Sequence, residues 1–189
     1  LQILSVPTGG GRLNLLIRGM IMIGRSALEW LAQRDDGIGN LPASDQKEVM
    51  EFSLMWSYFE SRFLGTNANP RTVREFADRL EGNGLIRVDD LLDPLDYLRR
   101  RYVREGRLVG KFDSLNLRGN DNVSVVEGVL LGRENSPGAI LICCLTIVLR
   151  YRNNLFHGMK WAYGIQGQKG NFMIANQILI RTAEMARGD

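Results

Sequence analysis

From Asp45 onward the apolar positions recur at helical spacing. Val49, Phe52, Trp56, Phe59 and Phe63 follow at intervals of three, four, three and four residues, which puts them on one face of an α-helix. Asp45 and Glu48 have the spacing of a capping box at its start, and Gly65 supplies a stop. Asn69-Pro70 predicts a second helix, a cap followed by proline at the first helical position, ending near Glu81 and Gly82. Asp93-Pro94 repeats that signal, with Leu95, Leu98 and Tyr102 as the apolar stripe. On the same helical reading Arg100, Arg104 and Arg107 share another face, flanked by Arg99 and Arg101 and opposed by Glu105.

The polar stretch 116–121 reads as a loop and 123–131 as a short helix. Ser136-Pro137 opens the longest element, whose core stripe is Leu141, Cys144, Val148, Tyr151 and Leu155. Residues 140–149 carry no charge, so this helix is expected at the centre of the fold, contacted on more than one side. Gly158 suits its C-terminal stop. A loop over 164–170 precedes a last helix, about 171–187, with Met173, Ile174, Ile178 and Met185 apolar. No strand-like alternation of useful length is present. The pattern predicts an all-α helical bundle with short loops.

At the other end, 28–32 reads as the end of a helix and 35–40 as a loop. The stretch 13–23 is rich in Leu, Ile and Met but is interrupted by Arg18 and Gly19. It falls short of the ~18 apolar residues of a membrane span. Residues 1–24 are therefore set apart as an extension, a fragment edge or a misassigned start. Residues 25–189 are read as a single helical domain.

Composition changes the picture only at a few points. The chain has 189 residues, 44% of them hydrophobic, enough for a sizeable core. A net charge of +3 leans only slightly towards anionic partners. Cys143 and Cys144 are adjacent in an apolar run with no framework spacing, which fits core packing in a reducing, cytoplasmic compartment. There is no CxxC and no metal-ligand spacing, and Gly9-Gly10-Gly11 lacks the rest of a phosphate loop.

The candidate chemistry lies in Arg152-Asn153-Asn154-Leu155-Phe156-His157-Gly158. His157 is the chain's single histidine, and histidine is the side chain best suited to proton transfer near neutrality. Arg152 adds a planar fork suited to phosphate. At about 100° per residue, His157 lies about 160° from the stripe centre at Leu155, and Arg152 about 60° from it. The two are thus about 140° apart and cannot face one ligand from one ideal helix. Either the last turn unwinds or a second subunit supplies the partner. The plainer alternative is an ordinary helix terminus, with the imidazole on a free carbonyl and Arg152 lying over the bundle edge.

The string RNNLFHG at the end of a long apolar helix resembles the signature of the HEPN superfamily (higher eukaryote and prokaryote nucleotide-binding domains). Arg152, Asn153 and His157 fill its three positions, and Leu149-Arg150-Tyr151 and Gly158-Met159-Lys160 around them are similar to a bacterial and plasmid-borne subgroup. Trp56, Phe59 and Glu60 resemble a Trp-x-x-Phe-Glu element of that subgroup, and the resemblance spans roughly residues 45–187. A short Tyr-x-x-Tyr element of toxin members is missing around Tyr163.

The resemblance implies an HEPN-like bundle, a four-helix core plus extra short helices. It implies a metal-independent endoribonuclease, needing no cofactor, in toxin–antitoxin or antiviral defence. Arg152, Asn153 and His157 would be catalytic, in a cleft shared by a homodimer, with RNA as substrate and an antitoxin protein as a possible partner. Some members are catalytically silent and only bind RNA, nucleotides or proteins. Arg100, Arg104, Arg107 and Lys160 are candidate RNA contacts, alongside the alternative of a solvated charged face. Glu60 is a candidate to orient Arg152, alongside the alternative of an exposed helix residue.

Overall fold

The computed structural model describes residues 26–156 and 165–188. Its contacts divide the chain between Leu41 and Pro42, later than the 24/25 division set from the sequence. In the first unit, α1 (Ala27–Ala32) begins with a reciprocal cap. The Ser26 hydroxyl accepts from the Glu29 amide, and the Glu29 carboxylate accepts from the Ser26 amide. The stretch read as a loop contains a one-turn helix, α2 (Asp36–Gly39), capped by the Asp35 carboxylate.

The second unit carries the long helices. They are α3 (Ala43–Phe63), α4 (Pro70–Gly82), α5 (Leu92–Tyr102), α7 (Val123–Leu130), α8 (Pro137–Phe156) and α9 (Lys169–Arg187), with the single-turn α6 (Gly110–Asp113) between α5 and α7. A 3-10 turn at Val88–Leu91 leads straight into α5. Apart from a hairpin of two short strands, β1 (Val103–Arg104) and β2 (Arg107–Leu108), the described chain is all-α.

The Asn69-Pro70 start forms as the sequence predicts. The Asn69 carbonyl oxygen of the side chain accepts from the Arg71 and Thr72 amides, with Pro70 at the first helical position. The Asp45–Glu48 capping box does not form. α3 starts two residues earlier behind Pro42, with no side-chain cap, because proline's restricted φ already sets the entry. Asp45 instead lies inside the first turn, 3.9 Å from Lys169. α5 likewise starts before Pro94, which occupies the first turn where its missing N–H has no partner to lose.

The helix read through Arg104 and Arg107 stops at Tyr102. Val103 pairs with Leu108, and Arg104 with Arg107, in an antiparallel hairpin. Its two central residues, Glu105 (φ 50°) and Gly106 (φ 71°), are both left-handed, the combination that lets two strands reverse in two residues.

α8 is the centre. α4, α7 and α9 all pack on it, and residues 140–151 are buried without exception. That explains the uncharged run. α8 is also long and apolar enough to cross a membrane, but 78% of its apolar window is buried within the fold. α3 pairs with α9, and the two run in the same direction: Asp45 meets Lys169 at their starts, and the Phe52 and Phe172 rings meet at 5.1 Å further along. Phe59, Phe63 and Phe76 join α3 to α4 with ring centroids 5.1 to 5.8 Å apart.

Candidate functional site

The described part of the RNNLFHG string lies in the last turns of α8. Arg150, two residues before the string, and Asn154, within it, fasten the helix. The Arg150 guanidinium, 4% exposed, donates from Nε to the Leu115 carbonyl at 3.0 Å and stands 3.4 Å from Asp121. Asn154, one turn on and also buried, donates to the Ser114 carbonyl at 3.1 Å. Together they tie the loop before α7 to the end of α8. The loop in turn is shaped by Asp121, which accepts from the Arg118 amide at 2.6 Å. Burial pulls the Arg150 guanidinium below its ordinary pKa, and Asp121 opposes that pull.

This arrangement holds the other face of the turn in place. Arg152 is 27% exposed on its side chain, on the flank that the helical reading assigns to it. Its guanidinium sits between two aromatic rings, 5.7 Å from the Trp56 centroid and 5.7 Å from that of Phe156. Trp56 is buried, whereas Phe156 is 55% exposed. Nη1 donates to the Asn153 side-chain oxygen at 3.0 Å, and Nη2 lies 3.5 Å from Glu60 Oε2. Nε is shielded from water and has no hydrogen-bond partner among the described residues.

Glu60 is not an idle surface carboxylate. Oε2 also accepts from the Trp56 indole at 2.7 Å, and Oε1 from the Ala68 amide at 3.1 Å. The carboxylate thus joins α3, the loop after it and α8. Trp56 and Glu60 are one turn apart on α3, so both reach the same neighbour.

The structure therefore brings Arg152, Asn153 and Glu60 together. His157 and Lys160 lie outside the described residues. Arg100, Arg104 and Arg107 do not form one helical face. Arg100 is exposed on α5, 3.5 Å from Asp96. Arg104 and Arg107 are exposed opposite each other on the hairpin. The flanking arginines are not free surface either. Arg99 donates to the Val129 carbonyl at 2.9 Å, at the end of α7, and Arg101 lies half-buried beside the Tyr102 ring.

Compared with known proteins, the chain matches no family model, no curated protein and no solved structure. The structure itself adds residues that the sequence reading passed over. Phe156 is an exposed aromatic beside the arginine. Arg150 and Asn154 face inward as anchors of the helix end. Their spacing of four, on a helix otherwise buried, was the available signal for a shared inward-facing anchor. Among the described residues no three His, Cys, Asp or Glu side chains converge on a point.

Proposed function

We propose that the protein is an HEPN-type, metal-independent endoribonuclease that works as a homodimer in the cytoplasm, in toxin–antitoxin or antiviral defence. The observation that carries the reading is the Arg152 guanidinium, held by Glu60, Asn153 and two aromatic rings, five residues before His157 in the sequence. A guanidinium held this way needs little reorganisation to meet a phosphate, which is the condition for electrostatic stabilisation of a transition state.

In the proposed reaction the RNA 2′-oxygen attacks the adjacent phosphorus and gives up its proton to solvent water. The bond from phosphorus to the 5′-oxygen breaks, leaving a cyclic phosphate and a 5′-hydroxyl. Arg152 offsets the charge that develops on the phosphoryl oxygens. The His157 imidazolium gives its proton to the leaving 5′-oxygen. Asn153 fixes the donor direction of Arg152. Because Arg152 and His157 lie about 140° apart on an ideal helix, each site takes one of them from each chain.

The test is cleavage of single-stranded RNA in EDTA. Wild type is expected to cut, and His157→Ala and Arg152→Ala each to lose ~10²-fold or more in rate. Full activity in both variants, or loss of wild-type activity on adding EDTA, refutes the reading.

A second reading, a catalytically silent HEPN domain that binds RNA, nucleotides or a protein, has its own support. Both terminal nitrogens of Arg152 are engaged by groups of the same chain, which suits a structural arginine. Under this reading RNA binds at low salt, is not cut, and binds His157→Ala equally well.

A further inference from the structure

Phe156 takes no part in the reaction above. Among the described residues it is the one large apolar side chain of α8 that is exposed, at 55%. Arg152 lies one turn before it on the same side of the helix, with the guanidinium carbon over the Phe156 ring, 5.7 Å from its centre. A ring has two faces, and the guanidinium covers one. The other ring beside that guanidinium, Trp56, is only 3% exposed and lies inside the fold. Phe156 is therefore the aromatic surface that a ligand of Arg152 can reach.

The surroundings of the ring decide the kind of ligand. Arg152 keeps 27% of its side chain open, bonds Asn153 at 3.0 Å and stands 3.5 Å from Glu60, so the setting is polar. The exposed Leu54 and Tyr58 lie about 160° around α3 from Trp56, and Trp56 faces Arg152. They do not extend an apolar patch to Phe156. A protein partner is marked by a contiguous apolar patch, which one ring beside one cation does not supply. The pairing matches a nucleotide instead, in which a single sugar joins a flat base to a phosphate. A ring face takes the base by stacking, and a guanidinium takes the phosphate. The 5.7 Å between them is within the reach of one nucleotide.

We infer that Phe156 is the base-stacking residue of the Arg152 site, holding the base of the nucleotide that adjoins the phosphate met by Arg152. The inference rests on the reading above that Arg152 meets an RNA phosphate, and it applies to a cutting and to a silent domain alike. Stacking uses the π-face that every base has, so the site accepts any base sequence. Adenine, with its larger face, is favoured over uracil.

The probes are two single-stranded oligomers of equal length. One is 2′-O-methyl oligoadenylate, which has no free 2′-hydroxyl and is not cut. The other is the same backbone without bases. Each is titrated by fluorescence anisotropy, in EDTA at low salt, into the full chain as wild type, Phe156→Leu and Phe156→Tyr. Wild type and Phe156→Tyr are expected to bind the oligoadenylate about tenfold or more tightly than Phe156→Leu does. The base-free oligomer is expected to bind all three alike. The contrast between oligomers separates stacking from a general disturbance of Arg152. Because Phe156 is exposed, Phe156→Leu is expected to keep the wild-type circular dichroism.

Equal binding of the oligoadenylate by wild type and Phe156→Leu overturns the inference. So does an equal loss on both oligomers, which makes Phe156 a mere support of Arg152. So does a wild-type dimer in ultracentrifugation that Phe156→Leu dissolves, which gives the ring to a second copy. Cleavage of unmodified RNA is scored separately. A wild type that binds through Phe156 and cuts nothing refutes the endoribonuclease and keeps the inference. A wild type that cuts, with Phe156→Leu binding and cutting equally well, refutes the inference alone.

Discussion

Glu60 on α3 stands 3.5 Å from Arg152 on α8 while the same oxygen accepts the Trp56 indole N–H at 2.7 Å. The carboxylate does two separable things: it satisfies a buried donor and it faces a cation. The pair with Arg152 is long and partly exposed, so its charge contributes at most ~1 kcal/mol. The indole, left without an acceptor, costs about 1–3 kcal/mol. Glu60→Gln keeps one acceptor but turns its NH2 towards the other donor, the Trp56 indole or the Ala68 amide, and should lose about 1–2 kcal/mol, whereas Glu60→Ala leaves both donors without an acceptor and should lose about 2–4 kcal/mol. Urea denaturation of both variants checks this. Equal losses would show that the charge outweighs the hydrogen bond.

Arg150 and Asp121 call for the opposite estimate, because both are nearly fully buried. Removing one member leaves an uncompensated charge, typically at a cost of 3–5 kcal/mol. Asp121→Ala should fall in about that range, and Arg150→Met with Asp121→Leu should recover a large part of it. Denaturation midpoints of the single and double variants decide. Equal stability of single and double variants would mean that the loop before α7 is held by the backbone acceptors alone.

What the sequence made legible was whatever repeats along one element. The spacing of Phe52, Trp56 and Phe59, all buried, and the uncharged centre of α8 fixed which faces turn inward. The flank position of Arg152 followed from the same arithmetic. What it hid were partners distant in the chain and turns that imitate a helix. Asp121 gives no local sign that it will meet Arg150. Arg100, Arg104 and Arg107 fit a helical face and a helix followed by a hairpin equally well, and only Glu105-Gly106 distinguishes the two. The Asp45 capping box failed because Pro42, just before it, starts the helix first.

The hairpin changes which arginines should guide RNA. Arg104 and Arg107 are exposed and opposed on neighbouring strands, whereas Arg99 is committed to the end of α7. Neutralising Arg104 and Arg107 should flatten the salt dependence of RNA binding, by about 0.7 in slope per lost phosphate contact on a single strand. Turnover at saturating RNA should hardly change. Arg99→Gln should instead lower stability and leave the slope alone. A slope unaffected by the hairpin variants would make that pair a solvated surface.

If one site takes Arg152 and His157 from different chains, mixing inactive Arg152→Ala with inactive His157→Ala should restore part of the activity. A mixed dimer has one site with both residues intact and one with neither, so random mixing should return roughly a quarter of the wild-type rate per chain. Cleavage assays over a range of mixing ratios measure it. A protein that is fully active as a monomer in ultracentrifugation would contradict the shared site.

Cys143 and Cys144 are fully buried on α8, and burial pushes the Cys144 thiol up to about 12 and that of Cys143 well above the ordinary range. The thiolate is the reactive form. Neither cysteine should react with iodoacetamide at pH 8 in the folded protein, and both should react in urea. The direction of the shift also fixes a pH effect. A group that holds its proton more tightly when folded contributes its full stability below the unfolded thiol value, about 8.5. That contribution is lost as pH rises from there towards about 12, by up to ~1.4 kcal/mol per pH unit for each such group. Tyr102 and Tyr151, whose hydroxyls burial also pushes up, share the alkaline loss. The Cys143→Ala, Cys144→Ala double variant should therefore keep the tyrosine part of the alkaline decline and lose the thiol part. Denaturation at pH 7 and pH 10 separates them, and an unchanged decline in the double variant would show that the thiols do not titrate with unfolding.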